Sequence, residues 1–249
     1  MDAIVEKKSE DIIISVIIPA HNEEKYIGKC LESISKASTF LPGKVEVIVV
    51  LNRCTDRTEE IAKSFNCITL INNDKNLSKI RNAGVDIARG EIIVTIDADT
   101  LMNEHVLLKA QENLTTGNYI GGGVTGKFER MSFGIFVSTL LLIGPLLFKY
   151  GAISVGIFWC YKKDFEAIKG FNEKMLMTED ADFAKRLKAF GKTKGKKYGT
   201  IQNGMITSSR KFDKHGDWIL LKRPKMILAY LKGTDEKYAD EAYYENQDR

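Results

Sequence analysis

Short apolar runs alternate along the first hundred residues with stretches in which apolar side chains recur every three or four positions. Residues 12–19 are β-branched and almost unbroken in apolarity, the pattern of a strand buried on both faces. Over residues 23–35, Ile27, Cys30, Leu31 and Ile34 fall on one face of a helix. Residues 45–51 predict the next strand. Residues 55–65 predict a helix with Asp56 and Glu59 near its N-terminal end, and residues 67–71 a third strand. Leu77, Ile80, Gly84, Ile87 and Ala88 line one face of a helix that ends near Gly90. A fourth strand over 91–96 is closed by Asp97.

Strands that alternate with single helices imply right-handed crossovers and a mostly parallel, Rossmann-like central sheet flanked by helices, an α/β fold. In such sheets a ligand sits beyond the carboxyl ends of the strands. That rule places the polar loops 20–24, 52–56, 72–76 and 97–100 along one rim. The second half is less regular. Gly121-Gly122-Gly123 reads as a flexible turn and residues 133–148 as one apolar run. Residues 153–161 read as a strand, 179–190 as an amphipathic helix, 198–209 as short strands, and 218–231 as a helix interrupted by Pro224. There are no repeats and no low-complexity tract. The reading is a single domain over 12–232, between a charged tail at 1–11 and an acidic tail at 233–249.

Composition supports a folded domain: of 249 residues, 44% are apolar and 28% charged. Cys30, Cys54, Cys67 and Cys160 form no Cys-x-x-Cys pair and stand at no zinc-finger spacing from a histidine, so they read as small buried hydrophobes in a reducing compartment. The N-terminal residues lack the apolar core of a signal peptide. Charge is unevenly placed. Residues 183–233 hold fourteen Lys or Arg against Asp213 and Asp217, whereas the last sixteen residues hold six acids against Lys237 and Arg249. Such a basic region favours phosphates or an anionic membrane; no stacking-aromatic motif accompanies it, so nucleic acid is not an expected partner.

The first turn reads Pro19-Ala20-His21-Asn22-Glu23-Glu24 and lacks a Gly-x-Gly-x-x-Gly fingerprint, which argues against a dinucleotide enzyme. Asp97-Ala98-Asp99 closes the fourth strand. Residues two apart on an extended chain project to one side, so the two carboxylates repel unless a hard cation, Mg²⁺ or Mn²⁺, lies between them. Asp99 could instead cap the next helix. A second acidic cluster, Thr178-Glu179-Asp180 with Asp182, opens a helix. Its structural reading is N-capping by Thr178 with acids in the first turn, and its chemical reading is a general base toward a hydroxyl.

Taken in order, these segments resemble glycosyltransferase family 2, enzymes of the GT-A fold, over roughly residues 14–212. Ser15 to Glu24 resembles the family's opening strand and donor-binding turn. Cys54-Thr55-Asp56-Arg57-Thr58 resembles the segment that contacts the nucleobase. Arg81-Asn82-Ala83-Gly84 and Ala88-Arg89-Gly90-Glu91 resemble the helix before the metal motif. Asp97-Ala98-Asp99 resembles that motif, and Gly170 to Glu173 with Thr178 to Asp182 resembles the acceptor-side motif. The resemblance implies a metal-dependent, inverting transfer of a sugar from a UDP- or GDP-sugar to an acceptor hydroxyl. Residues 12–100 would form the donor half and 101–232 the acceptor half. It implies that Pro19, Asn22, Glu23, Asp56, Arg81, Asp97 and Arg210 meet the donor, Asp56 through the base. It further implies that Asp97 and Asp99 hold Mn²⁺ or Mg²⁺ and that Asp180 is the catalytic base.

His215, close behind Ser209-Arg210-Lys211, is a candidate third metal ligand or diphosphate contact. Asn52-Arg53-Cys54 departs from the commoner Asp-Gly-Ser turn and leaves uridine and guanosine both open. The Gln-x-x-Arg-Trp motif of processive synthases is absent. Competing readings are a sugar nucleotidyltransferase, which would want a Gly-rich basic first loop, and a non-catalytic nucleotide-sugar-binding module, which would need no acidic pair. The run 133–148 is short for a span and carries Gly144 and Pro145. It is either buried or an interfacial segment that brings a lipid-linked acceptor to Asp180. The expected location is cytoplasmic, with peripheral attachment to the cytosolic face of a membrane.

Overall fold

The computed structural model describes residues 12–151, 156–236 and 238. Of the expected elements, the tail at 1–11, positions 153–155 and most of the acidic tail lie outside the described residues. The chain begins with β1 (Ile14–Ala20), α1 (Ile27–Ser38), β2 (Val45–Leu51), α2 (Thr58–Ser64), β3 (Ile68–Ile71), α3 (Leu77–Asp86) and β4 (Ile92–Thr95). It continues through β5 (Thr100–Met102), α4 (Val106–Thr115), β6 (Tyr119–Phe128), α5 (Phe133–Tyr150), β7 (Phe158–Tyr161) and α6 (Lys162–Ala167). Then follow α7 (Glu179–Thr193), β8 (Lys197–Thr207), α8 (Arg210–His215), α9 (Ile219–Lys222) and α10 (Pro224–Lys232). Pro224 breaks the last helical stretch as expected and occupies the first turn of α10, where its missing N–H costs nothing.

One sheet runs in the order β3-β2-β1-β4-β7-β6-β8-β5. Strands β1 to β4 pair in parallel, as their alternation with helices requires. The other half is mixed: β7 is antiparallel to both β4 and β6, and β5 to β8. Alternate residues of β1 face opposite layers. Ile14, Val16 and Ile18 pack with α1 and α4, while Ile17 joins Ile48, Val50 and α3. A Cβ on Gly84 would lie 2.5 Å from Ile17 Cγ2, so this glycine lets α3 settle directly on the sheet. That close seating fixes the height of Arg81 on the same helix.

Gly121-Gly122-Gly123 is not a turn but the interior of β6. A Cβ on Gly122 would fall 2.2 Å from Gly199 O and 2.5 Å from Trp159 Cζ2. The glycines make room for the buried Trp159 indole, whose Nε1 donates to Gly123 O at 3.1 Å. The short strands expected at 198–209 are one long strand, β8, which runs beside β6.

Candidate active site

The loops after β1 and β2 are stitched together. Asn22 adopts a left-handed backbone (φ 52), which asparagine tolerates, and its Oδ1 accepts from Thr55 N at 2.7 Å. Asp56 accepts from Glu24 N at 2.9 Å and from Thr58 N at 3.0 Å and Thr58 Oγ1 at 2.5 Å. Partial burial pushes the Asp56 carboxyl up, but these hydrogen bonds outweigh it and hold it below the usual carboxylate range. Asn52 Nδ2 donates to Asn72 O and Asp74 O and so ties in the third rim loop. Helix α1 begins at Ile27 rather than Glu23 because residues 23–26 turn instead, with Tyr26 N and Ile27 N both donating to Glu23 O.

Beneath this rim lies the buried guanidinium of Arg81, whose side chain is 2% exposed. Its Nη2 donates to Asp97 Oδ1 at 2.7 Å. Its Nη1 donates to Glu179 Oε1 at 2.7 Å and to Asp180 Oδ1 at 3.1 Å. The β4 terminus and the start of α7 are therefore joined through a residue of α3. Thr178, just before α7, adopts φ 56, an uncommon conformation for a β-branched residue. It does not cap the helix: its hydroxyl donates to Met177 O and Tyr230 O. The bend aims Glu179 and Asp180 at Arg81. Burial, reinforced by Glu179 and Asp97 and opposed by Arg81, pushes the Asp180 carboxyl up to about 7. Its Oδ2 accepts from Gly156 N at 3.3 Å.

A second arginine closes the other side. Arg210, at the start of α8, pairs with Glu23 through Nη1 and Nη2 at 2.6 and 2.7 Å, and its Nε lies 3.1 Å from Asp99 Oδ2. Its guanidinium sits 4.9 Å from the centroid of the Tyr26 ring. Burial also raises Glu23 and Asp99 above the ordinary range, with Arg210 working against it.

All ten sequence-predicted site residues line one cleft of about 550 Å³: Pro19, Asn22, Glu23, Asp56, Arg81, Asp97, Asp99, Asp180, Arg210 and His215. Sequence reasoning missed Tyr26, Lys211 and Lys214, which line it too. The spacing of positions 210, 211, 214 and 215, which puts them on one face of a helix, carried the signal for the basic pair. Arg81 holds the acids together and is enclosed by them, a role that its place in a helix did not disclose.

The acids suit a cation. In the two ion-paired clusters five carboxylates (Glu23, Asp97, Asp99, Glu179 and Asp180) face two guanidinium groups. Glu179 Oε2 is buried without a hydrogen-bond partner, and Arg81 engages only Oδ1 of Asp97, whose side chain remains 38% exposed. Among the described residues no three His, Cys, Asp or Glu side chains converge as a closed metal cage. Two carboxylates with room for phosphate oxygens match the way Mg²⁺ and Mn²⁺ bind with a substrate diphosphate.

The sequence profile of glycosyl transferase family 2 matches residues 15–161. Among curated proteins, the chain is 34% identical over 119 residues to glycosyltransferase AglE of Haloferax volcanii, covering 45% of this chain and 39% of that one. It is 31% identical over 101 residues to glycosyltransferase GlyG of Streptococcus pneumoniae, covering 38% and 33%. The matches thus span well under half of those relatives' own lengths. Among solved structures, glucosyl-3-phosphoglycerate synthase from Mycobacterium tuberculosis, in complex with Mn²⁺, UDP and phosphoglyceric acid, superposes with a TM-score of 0.61. The identity is 18%, with coverage of 90% of this chain and 80% of that one. Staphylococcus aureus TarS 1–349 in complex with UDP gives a TM-score of 0.61 at 20% identity, covering 88% and 71%. Mannosyltransferase PcManGT from Pyrobaculum calidifontis, in complex with GDP-Man and Mn²⁺, gives 0.59 at 20%, covering 81% and 57%. These likenesses establish a GT-A type fold with a mixed, curled central sheet.

Proposed function

We propose, since the chain belongs to glycosyl transferase family 2, that it transfers a sugar from a nucleotide-diphosphate-sugar to an acceptor hydroxyl with inversion, and that Asp180 is the base. The observation that carries this reading is the Arg81 cluster. It sets a largely buried carboxylate with a raised pKa beside the strand-end Asp97, within the cleft that the predicted donor residues line.

The nucleobase rests at the stitched loops beside Asp56, with Pro19 and Asn22 as the floor of the turn. The donor is a UDP- or GDP-sugar; solved structures of similar fold hold UDP-GlcNAc, UDP or GDP-Man. Asp97 and Asp99 would hold Mn²⁺ or Mg²⁺ together with the diphosphate; His215 does not converge with them as a third ligand and, lining the same cleft, would instead contact the diphosphate. When bound, the cation neutralises charge on the leaving diphosphate. Arg210, Glu23 and Arg81 fix the positions of the two aspartates. The acceptor oxygen forms its bond to the anomeric carbon as the bond to the diphosphate breaks on the opposite face, through an oxocarbenium-like transition state. Asp180 Oδ takes the acceptor proton, which suits a carboxyl poised near neutrality.

The acceptor enters from the side of α5 and α7. Leu146 and Tyr150 of α5 pack on Ala181, the neighbour of Asp180. An apolar helix at that place supports a lipid-linked acceptor and a protein held peripherally on the cytosolic face of a membrane. The experiment is a thermal-shift and hydrolysis screen of nucleotide-sugars with and without Mn²⁺. Selective stabilisation and slow release of the nucleoside diphosphate by one nucleotide-sugar is the expected result. No stabilisation by any nucleotide or nucleotide-sugar would overturn the reading.

A further inference from the structure

Helix α5 is apolar on its outer face. Phe133, Phe136, Leu140, Ile143 and Leu147 follow one another at intervals of three and four residues, all exposed, with Leu140 at 61%. Phe148 is 96% exposed. The opposite face, Gly134, Ile135, Ser138, Leu146 and Tyr150, is packed on the protein. Ser138 Oγ donates to Asp217 O at 2.6 Å, and Leu142 joins Ile219, Leu220 and Met226 of α9 and α10. An exposed helix normally turns charge outward; this one does the reverse. Leu221 and Leu228 extend the exposed apolar surface onto α9 and α10.

Charge identifies the occupant. The stretches 133–150 and 218–234 contain no Asp or Glu, yet carry Lys149, Lys222, Arg223, Lys225 and Lys232, all exposed. A two-fold contact between copies of the chain would set this patch against itself and bring cation against cation. Helix α5 could cross a bilayer by length and composition, but only by tearing its inner face from the domain. At the N-terminal end of α5, Asp213 and Asp217 are ion-paired with Arg130, which leaves the net charge around the stripe cationic and fits it to anionic headgroups above and acyl chains below.

We propose that the outer face of α5, with Leu228 of α10 and the surrounding cations, lies in the plane of an anionic phospholipid bilayer. This deepens the functional reading above by naming the surface and the partner, and it rests on that reading only for the orientation of Asp180 toward the acceptor.

The test is co-sedimentation of the full chain with phosphatidylcholine vesicles, with and without phosphatidylglycerol, at low and high salt. The wild-type protein is expected to pellet with the phosphatidylglycerol vesicles at low salt and to be released at high salt. Leu140→Asp, and separately the pair Lys225→Gln and Lys232→Gln, should each weaken binding by on the order of tenfold. All three positions are exposed, so thermal melting and nucleotide-sugar hydrolysis without vesicles should stay at the wild-type level. Hydrolysis in vesicle-free solution reports on the transferase reading separately. Wild-type protein that stays in the supernatant with both vesicle types would overturn the proposal. Leu140→Asp binding as tightly as wild type would also overturn it, as would a wild-type dimer that Leu140→Asp disperses.

Discussion

Arg81 Nη1 lies 3.1 Å from Asp180 Oδ1, although 99 positions separate the two residues in the chain. The same guanidinium binds Asp97 and Glu179 and is itself almost wholly buried. Replacing it with methionine would leave three carboxylates without their shared cation. Arg81→Met should therefore lower unfolding free energy by about 3–5 kcal/mol at neutral pH, and Arg81→Lys, which loses the fork geometry, by less. Urea unfolding of the two variants measures this; equal, sub-kcal losses would show that the cluster does not depend on Arg81.

Asp99 should be separable from the fold. Arg210 keeps its two bonds to Glu23 when this aspartate is lost, so Asp99→Ala should leave the melting temperature near that of wild type while abolishing the gain in donor affinity that Mn²⁺ confers. Chelation of the cation should do the same to the wild-type protein. Calorimetry with the nucleotide-sugar found in the screen gives the answer. A donor affinity indifferent to metal in both proteins would remove the cation from the account.

Asp56 ties two loops together as well as facing the cleft. Asp56→Ala should cost about 1 kcal/mol of stability through lost hydrogen bonds to Thr58 and Glu24. It should also weaken nucleoside diphosphate binding by roughly tenfold or more. A stability loss with unchanged nucleotide affinity, read by calorimetry, would confine Asp56 to a structural part.

The raised pKa of Asp180 has a sign in stability. The folded protein keeps this proton up to about 7, whereas the unfolded chain releases it near the ordinary carboxylate value, about 4. Between those limits the folded state binds more protons, so this group's contribution falls as pH rises and is flat above about 7. The stability of Asp180→Asn relative to wild type should accordingly rise from about pH 4 to about pH 7 and then level off. A difference that is constant with pH would mean that Asp180 titrates normally.

Much of this was legible in the chain. The parallel half of the sheet followed from the alternation of unbroken β-branched runs with helical spacing, and Pro19, Asn22, Glu23, Asp56, Asp97 and Asp99 fell into one cleft because strand ends share a rim; Arg81, Asp180, Arg210 and His215 reach it from helices α3, α7 and α8. The glycine run at 121–123 misled, since room for the Trp159 indole is a tertiary demand that local turn chemistry imitates. The capping assigned to Thr178 failed for a like reason: the Tyr230 carbonyl that takes its hydroxyl comes from 52 positions away. Spacing put Arg81 on the inward face of α3, four positions from Leu77 and three from Gly84, but could not reveal the acids that meet it there, since two of them come from α7. The outer face of α5 shows the same limit, for apolarity along the chain does not say which side is covered.

If Asp180 is the base of the transfer, the turnover of Asp180→Asn, measured beside its donor affinity, must show it. The amide keeps the shape of the carboxylate but accepts no proton at neutral pH. Turnover should fall by about two to four orders of magnitude while donor affinity stays within about threefold of wild type. In the wild-type protein kcat/KM should decline as pH drops below about 7, the value to which burial raises this carboxyl in the free protein. Near-normal turnover by Asp180→Asn, with the low-pH decline intact, would contradict the assignment and move the base to another carboxylate of the cluster.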